Sequence, residues 1–411
     1  MLNWSRQFSI LLFLDSNDYP SAYPGYECLL AVNAVSVIGP DASDPLAAIH
    51  QWNLLHNDWL FGHISYDFKN ALESKLSSAH ISGLAFPVIY FFCPAIVCFI
   101  DRDKKTLCVE CLGLDPHTVY AEILNAPVSP KEITLPSLQF TQRIPKHDYL
   151  STIGALREHI RNGDCYEINF CNEGFVESAV ISPVEVFQML NTLSPAPFAA
   201  YYRLNDQFMM CASPERYLTK HDETIISQPI KGTSKRESDA TRDHASKLAL
   251  QNSIKDRAEN VMIVDLVRND LARSCQLGSV QVPELFGIHT FPQVHQMVST
   301  ITGRLRPDVL FTDALRYSFP MGSMTGAPKV KVMQLIENYE RSYRGLFSGT
   351  VGYITPSGNF DFNVVIRSLF YNANSKYLSY QTGGAITFDS DAVQEWEEMR
   401  LKAWALEKIF A

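Results

Sequence analysis

This sequence predicts an α+β fold, with antiparallel sheets and helices packed outside them. Short apolar runs follow one another without regular β-α alternation, which disfavours a doubly wound parallel sheet. With 46% hydrophobic and 19% charged residues, the 411-residue chain has enough apolar material for one large core or two fused ones. No internal repeat of the length that marks solenoids or propellers is present.

Strand-like runs occur at Ser9 to Leu14, Glu27 to Val37, Pro87 to Phe92, Ala95 to Ile100 and Thr106 to Leu112. Helical spacing at Leu46 to Leu60 and Asp67 to Leu76 lies between them, so this part mixes α and β. The polar segment Asn125 to Phe140 carries Pro127, Pro130 and Pro136 and reads as a linker. Beyond it, His147 to Asn162 and Pro183 to Leu193 predict helices, while Tyr166 to Val176 and Ala199 to Ala212 predict strands. A long helix, broken once, is expected from Ala240 to Ala272, followed by more strands and a helix at Lys329 to Tyr339. Three strands then lead to Gln381, and a last helix runs from Asp391 to Phe410, with Ser390 or Asp389 as its N-cap. These readings divide the chain into residues 1–125, a linker at 126–144, and residues 145–411, the two parts forming one compact unit.

A formal charge of -9 and the lack of a long Lys/Arg run argue against nucleic acid, whose backbone demands clustered positive charge. The apolar stretch Ala85 to Ile100 is too short to span a bilayer and is interrupted by Pro87 and Pro94, so it predicts two buried strands and no membrane contact. No secretory signal is visible, and a cytoplasmic protein is expected. Nine scattered cysteines suit reduced thiols. Cys108 and Cys111 form a C-x-x-C within a strand-like run, where a three-residue offset sends the side chains to opposite faces, so neither zinc nor redox chemistry is expected.

Two predicted helices carry carboxylates at helical spacing: Asp256 with Glu259, and Glu395 with Glu398. If those faces meet, hard oxygen donors converge without His or Cys, which suits Mg²⁺. The plainer reading is solvated helix charge, paired with Lys255, Arg257 and Lys402. Gly383, Gly384 and Ala385 permit backbone N–H groups to approach an anion, and Arg367 with Lys402 completes a carboxylate clamp of sensible chemistry. Structural ion pairing serves the same residues equally well. Gly322 to Lys329 lacks the order of a P-loop, because Ala327 and Pro328 separate Gly326 from Lys329.

Several motifs stand in order along the chain: Pro229-Ile230-Lys231-Gly232-Thr233, Asp256-Arg257-Ala258-Glu259-Asn260 leading to Val264 through Asp270, the Gly322 to Lys329 turn, and Glu395-Trp396-Glu397-Glu398 with Lys402. Taken together, they resemble the chorismate-utilising enzymes, a family of anthranilate, isochorismate, salicylate and aminodeoxychorismate synthases. The likeness covers the second half in order, with a weaker echo at Ser65-Tyr66-Asp67 and Pro94. It implies antiparallel sheets packed as a sandwich, with residues 145–411 as the chorismate-binding catalytic domain.

The resemblance also implies roles. Lys231 stands where aminodeoxychorismate synthases carry lysine and anthranilate synthases usually carry alanine. Its amine would attack ring carbon 2 as the hydroxyl leaves carbon 4; ammonia would then add at carbon 4 and expel the lysine. An attacking amine must be neutral, so the pocket should depress a pKa of about 10.4. The alternative role for Lys231 is a plain point charge for an anion. Glu215 matches the general acid. Glu259 and Glu398 match Mg²⁺ ligands, with Asp256 and Glu395 around them. Gly232, Thr233, Arg367, Gly384, Ala385 and Lys402 match substrate-binding positions, to which Gly383 is added as part of the same glycine run.

Three positions depart from the family pattern. Glu167 stands where water-adding members have lysine and ammonia-adding members usually glutamine, Gln296 where many have histidine, and Phe347 where some have tyrosine. The leading expectation is a chorismate-aminating synthase that receives ammonia from a separate glutamine amidotransferase subunit. Anthranilate synthesis and a non-catalytic metabolite-binding protein are the alternatives. Phe13-Leu14-Asp15-Ser16 loosely resembles the strand end that lines a tryptophan pocket in several members.

Overall fold

The structure is a computed structural model, and it describes the whole chain except residues 24, 81, 103–104, 128–132 and 292–293. Pro130 of the expected linker lies outside the described residues. Among the described residues, a network of 19 strands, antiparallel in the pairings that bear on the site, forms the framework. Strands from the first 125 residues are woven into it. Ile10–Asp15 pairs with Phe198–Leu204, and Leu60–Ile64 pairs with Thr350–Ile354.

Alternation in these strands creates the layers. Leu12, Leu29 and Ala31 point into the largest apolar cluster, which also takes Met209, Leu218, Phe91, Phe360 and Phe362 from other strands, so the sheet encloses it. Their neighbours Leu11, Leu30 and Val32 face outward, onto a second cluster. There, Val119 and Ile123 of helix Pro116–Asn125, Phe187 and Leu190 of helix Pro183–Leu193, and Leu406 of helix Ala392–Lys408 cover the sheet. A third cluster seats helices Lys146–Arg161 and Lys329–Tyr339 against Ile168 and Phe170. The α+β fold with outer helices is therefore as expected.

Several boundaries differ from expectation. The helix expected from Leu46 to Leu60 spans Pro45–His56, because Asn57 turns left-handed and releases the chain into strand Leu60–Ile64. Asp67 to Leu76 forms only a short turn of helix, Tyr66–Phe68 and Lys69–Leu72. The two strands expected around Pro94 are one, Ile89–Asp101; the missing N–H is tolerated at a register shift opposite Ala34. Ala199 to Ala212 is a hairpin, Phe198–Leu204 and Gln207–Ser213, turning at Asn205 with positive φ. The long helix does break once, at Ser253, which ends Ala240–Asn252 and N-caps Ile254–Ala272. The last helix is capped by Asp391 and not by Ser390 or Asp389; its side chain accepts from the N–H groups of Val393 and Gln394.

Among the described residues, no helix is long and apolar enough to cross a membrane. All nine cysteines are free, and Cys111 packs with Leu107 and Val109 on the second cluster, leaving Cys108 on the opposite face of strand Leu107–Cys111.

Candidate active site

Lys231 sits on strand Ile230–Lys235 at a bulge. Ile230 lies opposite Val298 and Thr233 opposite Gln296, so Lys231 and Gly232 together face one residue of the neighbouring strand. Gly232 holds φ at +90°, a conformation that favours glycine, and a Cβ there would come within 2.9 Å of Asp256. The bulge turns Lys231 inward, where it is 8% exposed and its Nζ donates to Glu167 Oε1 at 2.6 Å. Burial pulls this ammonium toward the neutral form, but the charges of Glu167, Glu259 and Glu215 outweigh it and hold the amine above the ordinary lysine range. The expected depression is thus reversed. The cause is Glu167, a carboxylate where a neutral amide was the common alternative.

Glu167 begins strand Glu167–Val176 and is 1% exposed, with Oε2 lacking any hydrogen-bond partner. Its backbone is gripped from the Gly326–Ala327 strand, where a Cβ on Gly326 would lie 2.1 Å from the Glu167 carbonyl oxygen. Arg344, itself buried and paired with Glu340, donates to the carbonyls of Asn169 and Met324 and so ties this strand to the Gly322–Met324 turn. From that turn Ser323 Oγ donates to Glu215 Oε1 at 2.7 Å.

Glu215 lies between strands Gln207–Ser213 and Arg216–His221, with its carbonyl accepting from Val364 N–H. It is 4% exposed. Burial pushes its carboxyl up to about 7, opposed by the Ser323 hydrogen bond and the charge of Lys231. A carboxyl of that acidity exchanges protons near neutrality, as a general acid must. A small pocket opens beside it, lined also by Pro229, Asp270, Met321 and Ser323.

The two acidic helix faces do meet. Lys255 Nζ lies 3.8 Å from Glu259 Oε1 on its own helix and 3.6 Å from Glu395 Oε1 on the other. Burial pushes the Glu259 carboxyl up to about 7, with the charge of Lys231 opposing, and its Oε1 has no hydrogen-bond partner. Glu395 is also raised by burial while accepting from Ser390. Glu398 is lowered, chiefly by Lys402, whose Nζ is 2.7 Å away. A Cβ on Gly384 would approach Glu395, Glu398 and Lys402 at 3.1, 3.7 and 3.8 Å, so glycine keeps this hollow open.

Gly383, Gly384 and Ala385 belong to strand Tyr377–Ile386 and not to a loop. Gly383 faces Cys171, whose N–H goes to Glu340; the Gly383 carbonyl accepts from Lys402 Nζ at 2.8 Å. Arg367 is half-buried at positive φ, and no hydrogen bond or ion pair engages its guanidinium among the described residues. Burial lowers its pKa, against the charge of Glu398. An unpaired guanidinium within the field of Glu398, which also pairs with Lys402, is a ready seat for a carboxylate. Thr233 is exposed on the bulged strand, while Gln296 opposite it is buried with Oε1 unpartnered. Phe347 packs in the main apolar cluster.

Among the described residues, no three His, Cys, Asp or Glu side chains converge as a preformed metal cage. The donor chemistry nevertheless fits Mg²⁺, which commonly takes only one or two protein carboxylates and completes its shell with water and ligand oxygens. An orphaned buried oxygen on Glu259 is the kind of atom such an ion satisfies. Sequence reasoning gave no role to Ser323, which lay inside a quoted motif. Its partner is 108 residues away, and no local spacing signals that contact.

A second pocket is lined by Leu14, Asp15 and Ser16 with Tyr26, Glu27 and Arg102; its wall also takes Asp361, which pairs with Arg216 beside Glu215.

Aminodeoxychorismate synthase component 1 of Klebsiella aerogenes is 38% identical over 375 residues, covering 88% of this chain and 82% of that one. Aminodeoxychorismate synthase of Streptomyces pristinaespiralis is 43% identical over 270 residues, 66% of this chain and 37% of that longer protein. The chain thus spans well under half the length of the Streptomyces relative. Anthranilate synthase component I from Streptococcus pneumoniae has the same fold, with a TM-score of 0.82 at 24% identity, covering 96% of this chain and 94% of that one. The profile described as chorismate binding enzyme matches residues 33–408, and the chain belongs to that family.

Proposed function

We propose that this chain aminates chorismate to 4-amino-4-deoxychorismate, in p-aminobenzoate and folate biosynthesis in the cytoplasm. The observation that carries this reading is the buried Lys231, hydrogen-bonded to Glu167 and facing Glu215, whose carboxyl titrates at about 7. The names of the Klebsiella and Streptomyces relatives support it.

Lys231 begins as a cation, so its attack on carbon 2 requires a proton to leave Nζ. Glu167, 2.6 Å away, is placed to accept it. Glu215 gives its proton to the hydroxyl on carbon 4, which departs as water while the double bond shifts. Ammonia then forms the bond to carbon 4 and the carbon–nitrogen bond to Lys231 breaks. Lys231 leaves as the neutral amine and takes one proton from the incoming nitrogen, and the proton held by Glu167 passes by way of the amine to Glu215, so that all three groups return to their starting state.

Arg367, Lys402 and the backbone at Gly383 to Ala385 hold the substrate's carboxylates, with Gly232 and Thr233 beside the ring. Glu259 and Glu398 would hold Mg²⁺, with Asp256 and Glu395 around them. When bound, the ion neutralises the ring carboxylate and fixes its position. A glutamine amidotransferase subunit supplies the ammonia.

The test mixes purified protein with chorismate, Mg²⁺ and ammonium and identifies the product by mass. The expected product retains the enolpyruvyl group; anthranilate with pyruvate would overturn the assignment. Lys231→Ala should abolish amination while chorismate still binds, and an unchanged rate would remove the covalent step.

A further inference from the structure

Lys255 is placed against the electrostatics of its own helix. It stands in the first turn of Ile254–Ala272, two positions after the Ser253 cap, where the helix end is positive and a cation is unfavourable. What favours it there is the acidic pair across the gap, with Glu259 Oε1 at 3.8 Å and Glu395 Oε1 at 3.6 Å. Both distances exceed a hydrogen bond, so the ammonium neutralises the two carboxylates without closing on either. Glu259, 8% exposed, keeps Oε1 without a hydrogen-bond partner. Glu395, 3% exposed, is the buried acid that faces it from the last helix. Lys255 is 53% exposed, and its long stem can swing into solvent without disturbing the core.

We infer that Lys255 is a place-holding cation: it occupies the charge position between the two acidic helices and must withdraw before Mg²⁺ is seated. The inference rests on the metal reading proposed above. Mg²⁺ holds its oxygens at about 2.0–2.1 Å, far closer than the ammonium now stands, so ion and lysine cannot share the gap. Two consequences follow. The tethered charge offsets the repulsion between the two carboxylates, and free Mg²⁺ binds more weakly than the bare carboxylates would allow. A substrate carboxylate adds negative charge that offsets the repulsion, so chorismate and Mg²⁺ bind with positive coupling.

The experiment is calorimetric titration of Mg²⁺ into the full chain, with and without chorismate, for the parent, Lys255→Met, Lys255→Arg and Lys255→Met combined with Glu259→Gln. Lys255→Met keeps the stem and removes the charge. It should bind Mg²⁺ alone at least tenfold more tightly, and chorismate should then improve Mg²⁺ binding less than in the parent. Lys255→Arg should stay within about threefold of the parent, and the Glu259→Gln combination should lose the gain. An affinity of Lys255→Met within twofold of the parent, or weaker, overturns the inference, as does a gain that survives Glu259→Gln. If no protein binds Mg²⁺ even with chorismate, the metal reading itself fails and takes the inference with it. Near-ultraviolet circular dichroism on each variant separates a misfolded protein from an affinity change.

Discussion

Removing Glu167 should leave Lys231 as a buried ammonium without its main counter-ion. Breaking one side of a buried pair costs about 3–5 kcal/mol, because the remaining charge is stranded. The amine can escape by losing its proton, which at pH 7 costs about 4.6 kcal/mol from a solution pKa of about 10.4, and this sets a ceiling. Glu259 and Glu215 still face the amine, so the loss should fall toward the lower end. With about 2.1 cal/mol/K of unfolding entropy per residue, 411 residues unfold with roughly 0.9 kcal/mol/K, so Glu167→Ala should lower Tm by roughly 3–6 °C. Differential scanning calorimetry reads this, and Lys231→Met added to Glu167→Ala should recover most of it. The pH dependence has a defined sign. Lys231 is raised above its unfolded value, so its stabilisation is complete below about pH 10 and is lost only as pH climbs through the folded pKa. In the variant the stranded amine escapes more cheaply as pH rises, at about 1.9 kcal/mol by pH 9, so the difference between parent and variant should shrink from about pH 7 to 9. A variant that melts with the parent, or a double variant no better than the single, would refute the assigned charge state.

Ser323→Ala removes the hydrogen bond that holds the Glu215 carboxyl down, so its pKa should rise above about 7 and the alkaline limb of the kcat–pH profile should move to higher pH; a move to lower pH would contradict the general-acid role. Gly384→Ala places a methyl 3.1 Å from Glu395 and within 4 Å of Glu398 and Lys402, and should raise the KM for chorismate about tenfold with little change in Tm, as steady-state kinetics beside a thermal melt would show.

Helices Pro183–Leu193 and Lys329–Tyr339 were legible because their apolar faces recur at helical spacing over whole turns. Strand Leu60–Ile64 was hidden because it is buried on both faces and lacks alternation, and it follows a helix with only Asn57 as punctuation. Helix Pro116–Asn125 carried a readable start, Asp115 as cap with proline next, but its ten residues were passed over in a segment rich in turns. The carboxylates of the active site were visible as pairs on single helices. Their meeting was not, because it depends on pairings such as Ile168 with Ile386 that bring distant strands together. The motif resemblance supplied that convergence. It did not supply the charge on Lys231, which is set by a residue 64 positions away.

The bulge at Lys231 and Gly232 has a mechanical side. Extra residues in one strand leave the local ladder incompletely bonded, so this part of the backbone is more compliant than a regular strand. Glu167, by contrast, sits on a strand clamped by Gly326 and Ala327. The amine is thus mounted on a soft support and its carboxylate on a rigid one. On the proposed covalent path, recoil from a bond to the ring would be taken up on the lysine's side while Glu167, the proposed proton acceptor, stays where it is.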